Sequence, residues 1–384
     1  MTLLPRDCFA IATPGFESVV ERELRTLGFD SAYAEEGGVA FRADDRGLFA
    51  ANFHLRAASR VLVRIAEFTA KSFAELERRA KPIAWKPYVP PRSRVTFRVT
   101  CKKSRLYHSD AVAQRLEKAL VAAVPGVEVG RATTDDTDEG DAASQRIIVR
   151  FAHDVCTISA DSSGELLHRR GYRLATAKAP IRETIAAGCL LALGYDGAVP
   201  LVDPMCGSGT FAIEAALIAR NIAPGAKRRF ACESWPGFDS AAVKRVRAEA
   251  TAAVRPSAAA PIHASDRDAG AVKATRANAE RAGVSGDLAT TECALSAIEP
   301  PAGRGLCIAN PPYGTRVGER DTLRNLYAQF GNMARTKLPG WRVALVSAER
   351  SLEAQTKLPL QVSLAFSNGG IRVRLLATNA VAST

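Results

Sequence analysis

The stretch that decides the fold is "VDPMCGSGTFAIEAA", residues 202–216. A short apolar run ends at Asp203, glycines follow at Gly207 and Gly209, and an apolar, alanine-rich helical pattern begins directly afterwards. Glycines let a backbone approach a ligand closely, and a helix N-terminus offers free N–H groups to a carboxylate or a phosphate. The stretch therefore predicts a strand, a ligand-binding turn and a helix in immediate succession.

The glycine turn does not match the common nucleotide-binding loops well. It can be read as G-x-G-x-x-A with Ala212 third, but the dinucleotide fingerprint needs an acid about 20 residues later, at the end of the next strand. The sequence there is "APGAKRRF", and the next strand ends only at Asp266. A P-loop is excluded because no Gly-Lys-Ser/Thr follows. Asp203 is expected to accept from the amino group of an amino-acid-like ligand, or else to cap the turn.

The alternation of strands and helices continues to the C-terminus. Further strand patterns are "PIHASD", "LATTEC", "GLCIAN" and "WRVALVS", and two final strands meet at the hairpin signal Asn368-Gly369-Gly370. Such a chain predicts an α/β fold with a mostly parallel sheet that has an antiparallel end. Ligands bind such sheets at the carboxyl ends of the strands.

Two acids follow the second strand of this block, in "ASDRD". Asp266 stands at the strand end, where a carboxylate can accept both hydroxyls of a ribose. Asp268, two residues later, could serve instead or could cap the next helix. We favour Asp266 as the ribose ligand.

The fourth strand of the block ends in "CIANPPYGTR", residues 307–316. Neither proline has an N–H to donate to a neighbouring strand, and each restricts the residue before it to an extended backbone. The exit from the strand is therefore stiff, and it holds the Asn310 amide and the Tyr313 ring in fixed directions. The alternative is that Asn-Pro-Pro-Tyr makes a rigid turn and nothing more.

Composition and charge limit the possible partners. The 384 residues carry a formal net charge of +12, with 47% hydrophobic and 24% charged residues, which is typical of a globular protein of two or three domains. No apolar run approaches a membrane span or a secretory signal. The eight cysteines form no C-x-x-C pair and the five histidines show no metal spacing, so we expect a cytoplasmic protein without a bound metal.

The positive charge is concentrated in the front half of the chain. Residues 60–118 contain 15 Lys/Arg against 5 Asp/Glu, whereas residues 133–141, "TTDDTDEGD", are acidic. In "RSRVTFRVTCKKSR" the alternation places several basic residues on one face of a strand, which is compatible with binding an RNA backbone. The alternative is a solvated basic face. The candidate phosphate-binding residues are Arg92, Arg94, Arg98, Lys102, Lys103, Arg105, Arg169 and Arg170.

Together these stretches resemble a known family. "DPMCGSGTFAIEAALIARNIAPG", "HASDRDAGAVKATRANAERAGV" and "IANPPYGTRVG" resemble S-adenosylmethionine-dependent methyltransferases that act on exocyclic amino groups. "LLHRRGYR" followed by "APIRETIAAG" is similar to the RNA guanine-N2 methyltransferases that carry an N-terminal THUMP domain. The resemblance spans essentially the whole chain, including the opening "FAIATPGFESVVERELRTLGF".

The resemblance implies a class I (Rossmann-like) methyltransferase domain preceded by an α+β THUMP-type RNA-binding module. We place a ferredoxin-like part at residues 1–65, the THUMP domain at 66–165, a linker and helix at 166–195 and the methyltransferase domain at 196–384. The implied partner is RNA, with ribosomal RNA ahead of tRNA. A DNA adenine-N6 methyltransferase and a non-catalytic RNA-binding assembly factor are the alternatives, and the sequence sets no oligomeric state.

The resemblance also implies which residues hold S-adenosylmethionine. Its methionine end is assigned to Asp203, Gly207, Ser208 and Gly209, and Cys206 and Thr210 of the same turn are also assigned to the cofactor. Arg182 and Glu183 either close over the methionine end or form an exposed ion pair at a helix start. The ribose is assigned to Asp266 or Asp268. Where the family has an aspartate for the adenine, this chain reads "TTECALSA", so Glu292 or Cys293 takes that place. Cys206 is read as a small residue in a tight turn rather than a nucleophile.

The catalytic assignment rests on Asn310, Pro311, Pro312 and Tyr313. A guanine exocyclic amine is a poor nucleophile because its lone pair is delocalised into the ring. Two acceptors aimed at its N–H bonds, the Asn310 side-chain oxygen and the Pro311 carbonyl, would favour a pyramidal nitrogen and stabilise the incipient positive charge. Tyr313 would stack on the extruded base.

Overall fold

The computed structural model describes residues 5–130, 144–174, 181–312 and 320–380. The chain divides into two compact units. The first comprises the described residues of 1–12, 21–167 and 228–249, and the second those of 13–20, 168–227 and 250–384. None of the described helices is both long and apolar enough to cross a bilayer. All eight cysteines are free thiols.

The first unit is built on one sheet of eight described strands. The strands are β1 Arg6–Ala12, β2 Tyr33–Glu35, β3 Gly38–Ala43, β4 Ala58–Thr69, β5 Arg94–Lys102, β6 Glu128–Gly130, β7 Gln145–Ala152 and β8 Val155–Asp161. Their order across the sheet is β2-β3-β1-β4-β8-β7-β5-β6. The predicted boundary at residue 65 lies inside β4, which pairs with β8 from Leu62 to Thr69 across a register shift between Arg64 and Ala66.

Four described helices lie between these strands in the chain, and the first of them begins within residues 13–20, which belong to the second unit. α1 spans Glu17–Thr26, α2 Asp45–His54, α3 Phe73–Ala80 and α4 Ser109–Ala123. The Asp44 carboxylate and the Ser72 hydroxyl accept backbone N–H groups and so begin α2 and α3. Leu116 and Leu120 of α4 are completely buried, as is Val95 of β5. The apolar alternation of β5 thus faces its helices, which leaves its other residues on the opposite face.

Residues 228–249 belong to the first unit, although the sequence places them inside the predicted methyltransferase domain. The Phe230 ring packs edge-on against Phe49 at 5.6 Å between centroids, and Trp235 packs against Tyr88 at 5.1 Å. The Trp235 indole also donates to Gln145 Oε1 (2.7 Å). The domain predicted at 196–384 is therefore interrupted, because burial of these aromatic rings draws the segment into the first unit.

The second unit contains the α/β sheet. Its described strands are β9 Leu201–Asp203, β10 Ile262–Asp266, β11 Leu288–Glu292, β12 Leu306–Ala309, β13 Arg342–Ser347, β14 Gln361–Asn368 and β15 Ile371–Ala380. Its described helices are α5 Glu183–Ala192, α6 Thr210–Ala219, α8 Ala269–Ala282, α9 Arg320–Lys337 and α10 Arg350–Gln355, while α7, Ser240–Ala252, lies mostly in the first unit.

The strand order in this sheet is β11-β10-β9-β12-β13-β15-β14. The first five strands are parallel, and β15 runs antiparallel to both β13 and β14. The predicted parallel sheet with an antiparallel end is confirmed, as is the hairpin at Gly369-Gly370. The order reverses between β9 and β12, so the crevice beyond their carboxyl ends is the expected ligand site.

Candidate active site

Strand register brings the predicted site residues to one edge of the sheet. Leu306, Leu201, Ile262 and Leu288 form one row across β12, β9, β10 and β11. Two positions beyond this row lies Asp203, and four positions beyond it lie Asp266, Glu292 and Asn310. The sequence-predicted acids and the asparagine therefore end neighbouring strands at the switch point of the sheet.

The glycine turn between β9 and α6 has the conformation that its glycines allow. Gly207 has φ +55° and Gly209, the N-cap of α6, has φ +84°. The Gly209 N–H donates to the Cys206 carbonyl at 2.7 Å and closes the turn. A Cβ on Gly209 would lie 2.7 Å from the Thr275 methyl group, so a side chain is excluded there by both space and backbone angle.

Asp266 fixes the turn from the adjacent strand. One carboxylate oxygen accepts the Gly207 N–H and the other accepts the Asp268 N–H, each at 3.0 Å. The Asp268 carboxylate accepts the Gly270 N–H at 2.8 Å and caps α8. Asp266 is thus held at the strand end beside the glycine turn, whereas the exposed Asp268 has a structural role as a cap.

Asp203 is a fully buried acid at the end of β9. Burial raises the pKa of Asp203 from its usual 3.8 to about 8; the Met205 N–H offsets part of this rise, and the charge of Asp266 adds to it. The carboxyl is therefore protonated at neutral pH in the ligand-free protein. A cationic amino group placed against it would return it to the ionised form.

The raised pKa of Asp203 makes the stability of the ligand-free protein depend on pH. An acid whose pKa is higher in the folded chain than in the unfolded chain holds a proton that unfolding releases, so stability falls as pH rises from about 4 to about 8. We expect the unfolding equilibrium constant to grow by up to about tenfold per pH unit over this range from this group. Asp203→Asn, which cannot ionise, should lack this component.

Chemical denaturation of both proteins at pH 6, 7, 8 and 9 checks the expectation. The wild type should lose stability relative to Asp203→Asn up to about pH 8, and the difference should then level off. Parallel pH profiles for the two proteins would show that Asp203 does not carry the shift.

Glu183 and Arg173 form a second buried group beside the turn. Glu183, at the first turn of α5, lies 3.1 Å from Arg173 Nε, and Arg173 also donates to Thr210 Oγ1 (3.1 Å) and to the Ile181 carbonyl (2.6 Å). Burial raises the pKa of Glu183, and the charge of Arg173 opposes that rise. Glu183 Oε2 is buried without a hydrogen-bond partner among the described residues. Arg182, by contrast, is exposed.

The structure also gives the positions of the two alternative residues predicted to contact the adenine, Glu292 and Cys293, and of Cys206 in the glycine turn. Cys293 is half-buried and its N–H donates to the Asp266 carbonyl at 3.0 Å, while Glu292 is exposed at the end of β11. The Cys206 thiol is buried and lies 3.5 Å from Thr275 Oγ1, and burial raises its pKa far above the usual range. Cys206 therefore carries no thiolate, in agreement with its reading as a turn residue.

Asn310 follows β12, which is anchored in the core by Cys307 and Ala309, both completely buried. Asn310 Oδ1 is buried and has no hydrogen-bond partner among the described residues. An unsatisfied buried oxygen is costly unless a ligand supplies the missing donor. Pro311 is buried and Pro312 is exposed. Tyr313 lies outside the described residues, so its predicted stacking role stays a prediction.

The candidate RNA-binding residues differ in exposure. Arg92, Arg94, Arg98, Lys102, Lys103, Arg105 and Arg169 are exposed. Arg170 is the exception and a correction to the sequence analysis: it is 4% exposed, and its Nε lies 3.5 Å from the completely buried Glu214. Its charge balances a buried acid, which leaves no surface for a phosphate.

Sequence reasoning missed four residues behind the site: Tyr172, Thr275, Asn278 and Arg281. The buried Tyr172 hydroxyl donates to Glu214 at 3.0 Å, and the other three stand at every third position of α8. For the residues on α8, the available signal was that polar side chains stand among the small apolar residues of the buried helix face, where polar groups require partners. Among the described residues, no group of three or more His, Cys, Asp or Glu could hold a metal ion.

The residues present suit a cationic, amino-acid-like ligand with a ribose. Asp203, Glu183 and Asp266 place three acids around one glycine turn, and Glu183 Oε2 still lacks a donor among the described residues. Carboxylates accept from ammonium and hydroxyl groups and attract positive charge. S-adenosylmethionine carries an ammonium, two ribose hydroxyls and a sulfonium, so the donor set fits it.

Family models match both parts of the chain. The model described as an RMKL-like methyltransferase domain matches residues 170–369, which is just over half of the chain. The model described as an RlmL ferredoxin-like domain matches residues 7–62.

Individual proteins are similar over nearly the full length. A Synechocystis sp. protein, assigned provisionally to the RNA methyltransferases by its name, is 34% identical over 97% of this chain and 96% of its own. The ribosomal RNA large subunit methyltransferase K/L of Syntrophotalea carbinolica is 34% identical over 97% of this chain, which spans about half (53%) of that longer protein. The crystal structure of SMU.472, described provisionally as a methyltransferase and solved with SAH, superposes with a TM-score of 0.87 at 30% identity, covering 98% of this chain and 99% of that one.

Proposed function

The chain belongs to the family of RMKL-like methyltransferases, and on that premise we propose that it transfers a methyl group from S-adenosylmethionine to the exocyclic N2 amine of a guanosine in RNA. The first candidate substrate is large-subunit ribosomal RNA. The observation that carries the proposal is Asn310 Oδ1, a buried acceptor without a described donor at the end of β12, beside a turn lined with acids. The resemblance of the sequence to guanine-N2 enzymes and the names of its relatives support the choice of substrate.

Each acid around the turn has one task in this proposal. Glu183 and Asp203 accept from the ammonium of the cofactor, and Asp266 accepts from its ribose hydroxyls. When bound, S-adenosylmethionine supplies a methyl group on a positively charged sulfur.

Asn310 and Pro311 act on the nucleobase. The Asn310 amide oxygen and the Pro311 carbonyl oxygen each accept a hydrogen bond from one N–H group of the guanine amine. These two hydrogen bonds turn the nitrogen lone pair out of conjugation with the ring. The same oxygens stabilise the positive charge that develops on the nitrogen, and they cost no reorganisation because β12 and the two prolines hold them in place. Holding the amine in line with the methyl group supplies much of the remaining rate.

The RNA-binding surface is proposed on the open face of the first unit's sheet. Thr96 pairs with Arg146 and Thr100 with Arg150, so cations of β5 and β7 occupy alternate levels of the same face. The row in order is Arg94, Arg146, Arg98, Arg150 and Lys102. At about 3.3 Å per residue along a strand and about 4.8 Å between strands, neighbours in this row lie about 8 Å apart. A row of like charges at this spacing suits a polyanionic backbone.

RNA binding by the full chain should depend steeply on salt. We expect log affinity to fall linearly with log salt, and Arg98→Glu or Arg150→Glu to weaken binding and to reduce the magnitude of the slope by about one unit each. Filter binding or fluorescence anisotropy from 50 to 300 mM KCl measures both quantities.

Arg79→Glu is the matched control for these charge reversals, because Arg79 is equally exposed but lies on α3. It should change the affinity much less. If Arg79→Glu weakens binding as strongly as Arg98→Glu, only net charge matters and the row on β5 and β7 is not the binding surface.

Methyl transfer tests the proposed function directly. The full chain is incubated with radiolabelled S-adenosylmethionine and, separately, with unmodified ribosomal RNA, tRNA and DNA, and the product is digested to nucleosides. N2-methylguanosine in ribosomal RNA is the expected result, and the same nucleoside in tRNA would change only the substrate. N6-methyladenine in DNA, or no transfer to any of the three, would overturn the proposal.

A further inference from the structure

The middle of α8 carries buried polar residues that the proposed chemistry does not use. Thr275 and Asn278 are both completely buried, although a helix packed against a sheet gains most from apolar residues at such positions. Polar groups are retained in such places when they satisfy a specific partner. Here the partners are the carbonyl groups of the glycine turn.

The contacts are short and sequential. Thr275 Oγ1 donates to the Gly207 carbonyl at 3.0 Å, and Asn278 Nδ2 donates to the Ser208 carbonyl at 3.0 Å. The Asn278 amide oxygen in turn accepts from Arg281, whose Nε donates to the Tyr172 carbonyl at 2.9 Å. Two consecutive carbonyl groups of the turn are thus bound to one helix, and that helix is braced by residue 172.

These bonds determine where the turn's N–H groups point. In a trans peptide the C=O and the following N–H lie on opposite sides. With the Gly207 carbonyl directed at Thr275, the Ser208 N–H is directed away from α8 and out of the turn. With the Ser208 carbonyl directed at Asn278, the Gly209 N–H faces the Cys206 carbonyl, which accepts it at 2.7 Å.

Glycine makes such fixing necessary. The peptide between residues 207 and 208 follows a glycine, whose backbone rotates with little steric restraint, so this peptide can turn over at low cost unless something holds it. We propose that Thr275 and Asn278 are positioning residues that hold the Gly207 and Ser208 carbonyls and thereby aim the Ser208 N–H at an acceptor on the bound cofactor. This inference rests on the proposed function for its ligand, but not for the fixing of the turn.

Paired substitutions at Thr275 test the proposal. Thr275→Val preserves the shape of the side chain and removes the hydroxyl, whereas Thr275→Ser keeps the hydroxyl. We expect Thr275→Val to bind S-adenosylhomocysteine about fivefold to tenfold more weakly than the wild type in calorimetry, and Thr275→Ser to stay within about twofold. Asn278→Asp, which can accept from Arg281 but cannot donate to Ser208, should also bind more weakly.

Amide hydrogen exchange of the ligand-free protein gives a second measurement that does not depend on the ligand. Exchange at residues 206–210 should be faster in Thr275→Val than in the wild type and Thr275→Ser. The positioning role would be overturned if Thr275→Val and Thr275→Ser had the same affinity for S-adenosylhomocysteine and the same amide exchange rates. This holds whether both variants match the wild type or both lose affinity equally. If the wild type failed to bind S-adenosylhomocysteine while exchange still separated the two variants, the proposed function would fall and the fixing of the turn would stand.

Discussion

Replacement of Asn310 by alanine is expected to lower methyl transfer by about 10²-fold or more while leaving cofactor binding intact. The substitution removes one of two oxygens that would stabilise the developing positive charge on the amine, and the loss of one such preorganised group typically lowers turnover about 10²-fold to 10³-fold. The cofactor contacts are assigned to Asp203, Glu183 and Asp266, which the substitution does not touch. The effect should therefore fall on kcat rather than on the affinity for S-adenosylmethionine.

Stability should change little in Asn310→Ala. The Oδ1 atom has no described hydrogen-bond partner, so removing it breaks no described bond and relieves an unsatisfied buried acceptor. A protein that is folded, binds the cofactor and fails to transfer the methyl group is the informative outcome. Single-turnover methyl transfer, calorimetry with S-adenosylhomocysteine and thermal unfolding measure the three properties separately.

Asn332→Ala is the matched control, because Asn332 is an exposed asparagine on α9 of the same unit. It should leave all three measurements unchanged. If Asn310→Ala retained at least a tenth of the wild-type turnover, the amide oxygen would not be the acceptor, and the unpartnered atom would need another explanation.

The fold of the second unit was predictable because its signals are local. β9, β10 and β12 are short, mostly apolar runs that end at or just before Asp203, Asp266 and Asn310, and parallel strands place those ends together. Asp203, Asp266 and Asn310 could therefore be assigned to one edge of a sheet before any coordinates were available. The loop geometry supports the proposal of Asp266 rather than Asp268 as the ribose ligand, because Asp266 accepts the Gly207 N–H whereas Asp268 caps the helix.

Features that depend on distant partners could not be predicted. Arg170 stands in a basic stretch of sequence that is typical of an exposed patch. In the structure it is buried beside Glu214, which lies 44 positions further along the chain. Arg146 and Arg150 lie on the same sheet face as Arg98 because β7 pairs in parallel with β5 in one particular register. The sequence of neither strand predicts that register. Residues 228–249 leave the α/β unit for partners nearly two hundred residues earlier in the chain.

The partners of the buried polar residues on α8 could not be predicted from the sequence either. The helical spacing of apolar residues predicted α8, but it did not predict which carbonyl groups would accept hydrogen bonds from Thr275 and Asn278. A helical pattern gives the face on which a residue lies, and only the packed structure gives what covers that face.

Asp266→Ala is expected to produce the largest loss of cofactor affinity, about 10²-fold or more. The carboxylate holds the Gly207 N–H and the Asp268 N–H, and it is the proposed acceptor for the ribose hydroxyls. Hydrogen bonds to a charged group contribute about 1.5–3 kcal/mol each, so the loss of even one ribose contact accounts for one to two factors of ten, and the loss of both accounts for more. Release of the Gly207 N–H then loosens the turn and adds to the effect.

Asp268→Ala separates this role from a general effect of removing an acid near the turn. Asp268 is exposed and caps α8, so its loss should lower the free energy of unfolding by about 1 kcal/mol and leave the affinity for S-adenosylhomocysteine within about threefold. Calorimetry and chemical denaturation of both variants measure the two properties. An Asp268→Ala protein that loses as much affinity as Asp266→Ala would place the ribose on the second acid, because an N-cap that serves only the helix has no reason to affect the ligand.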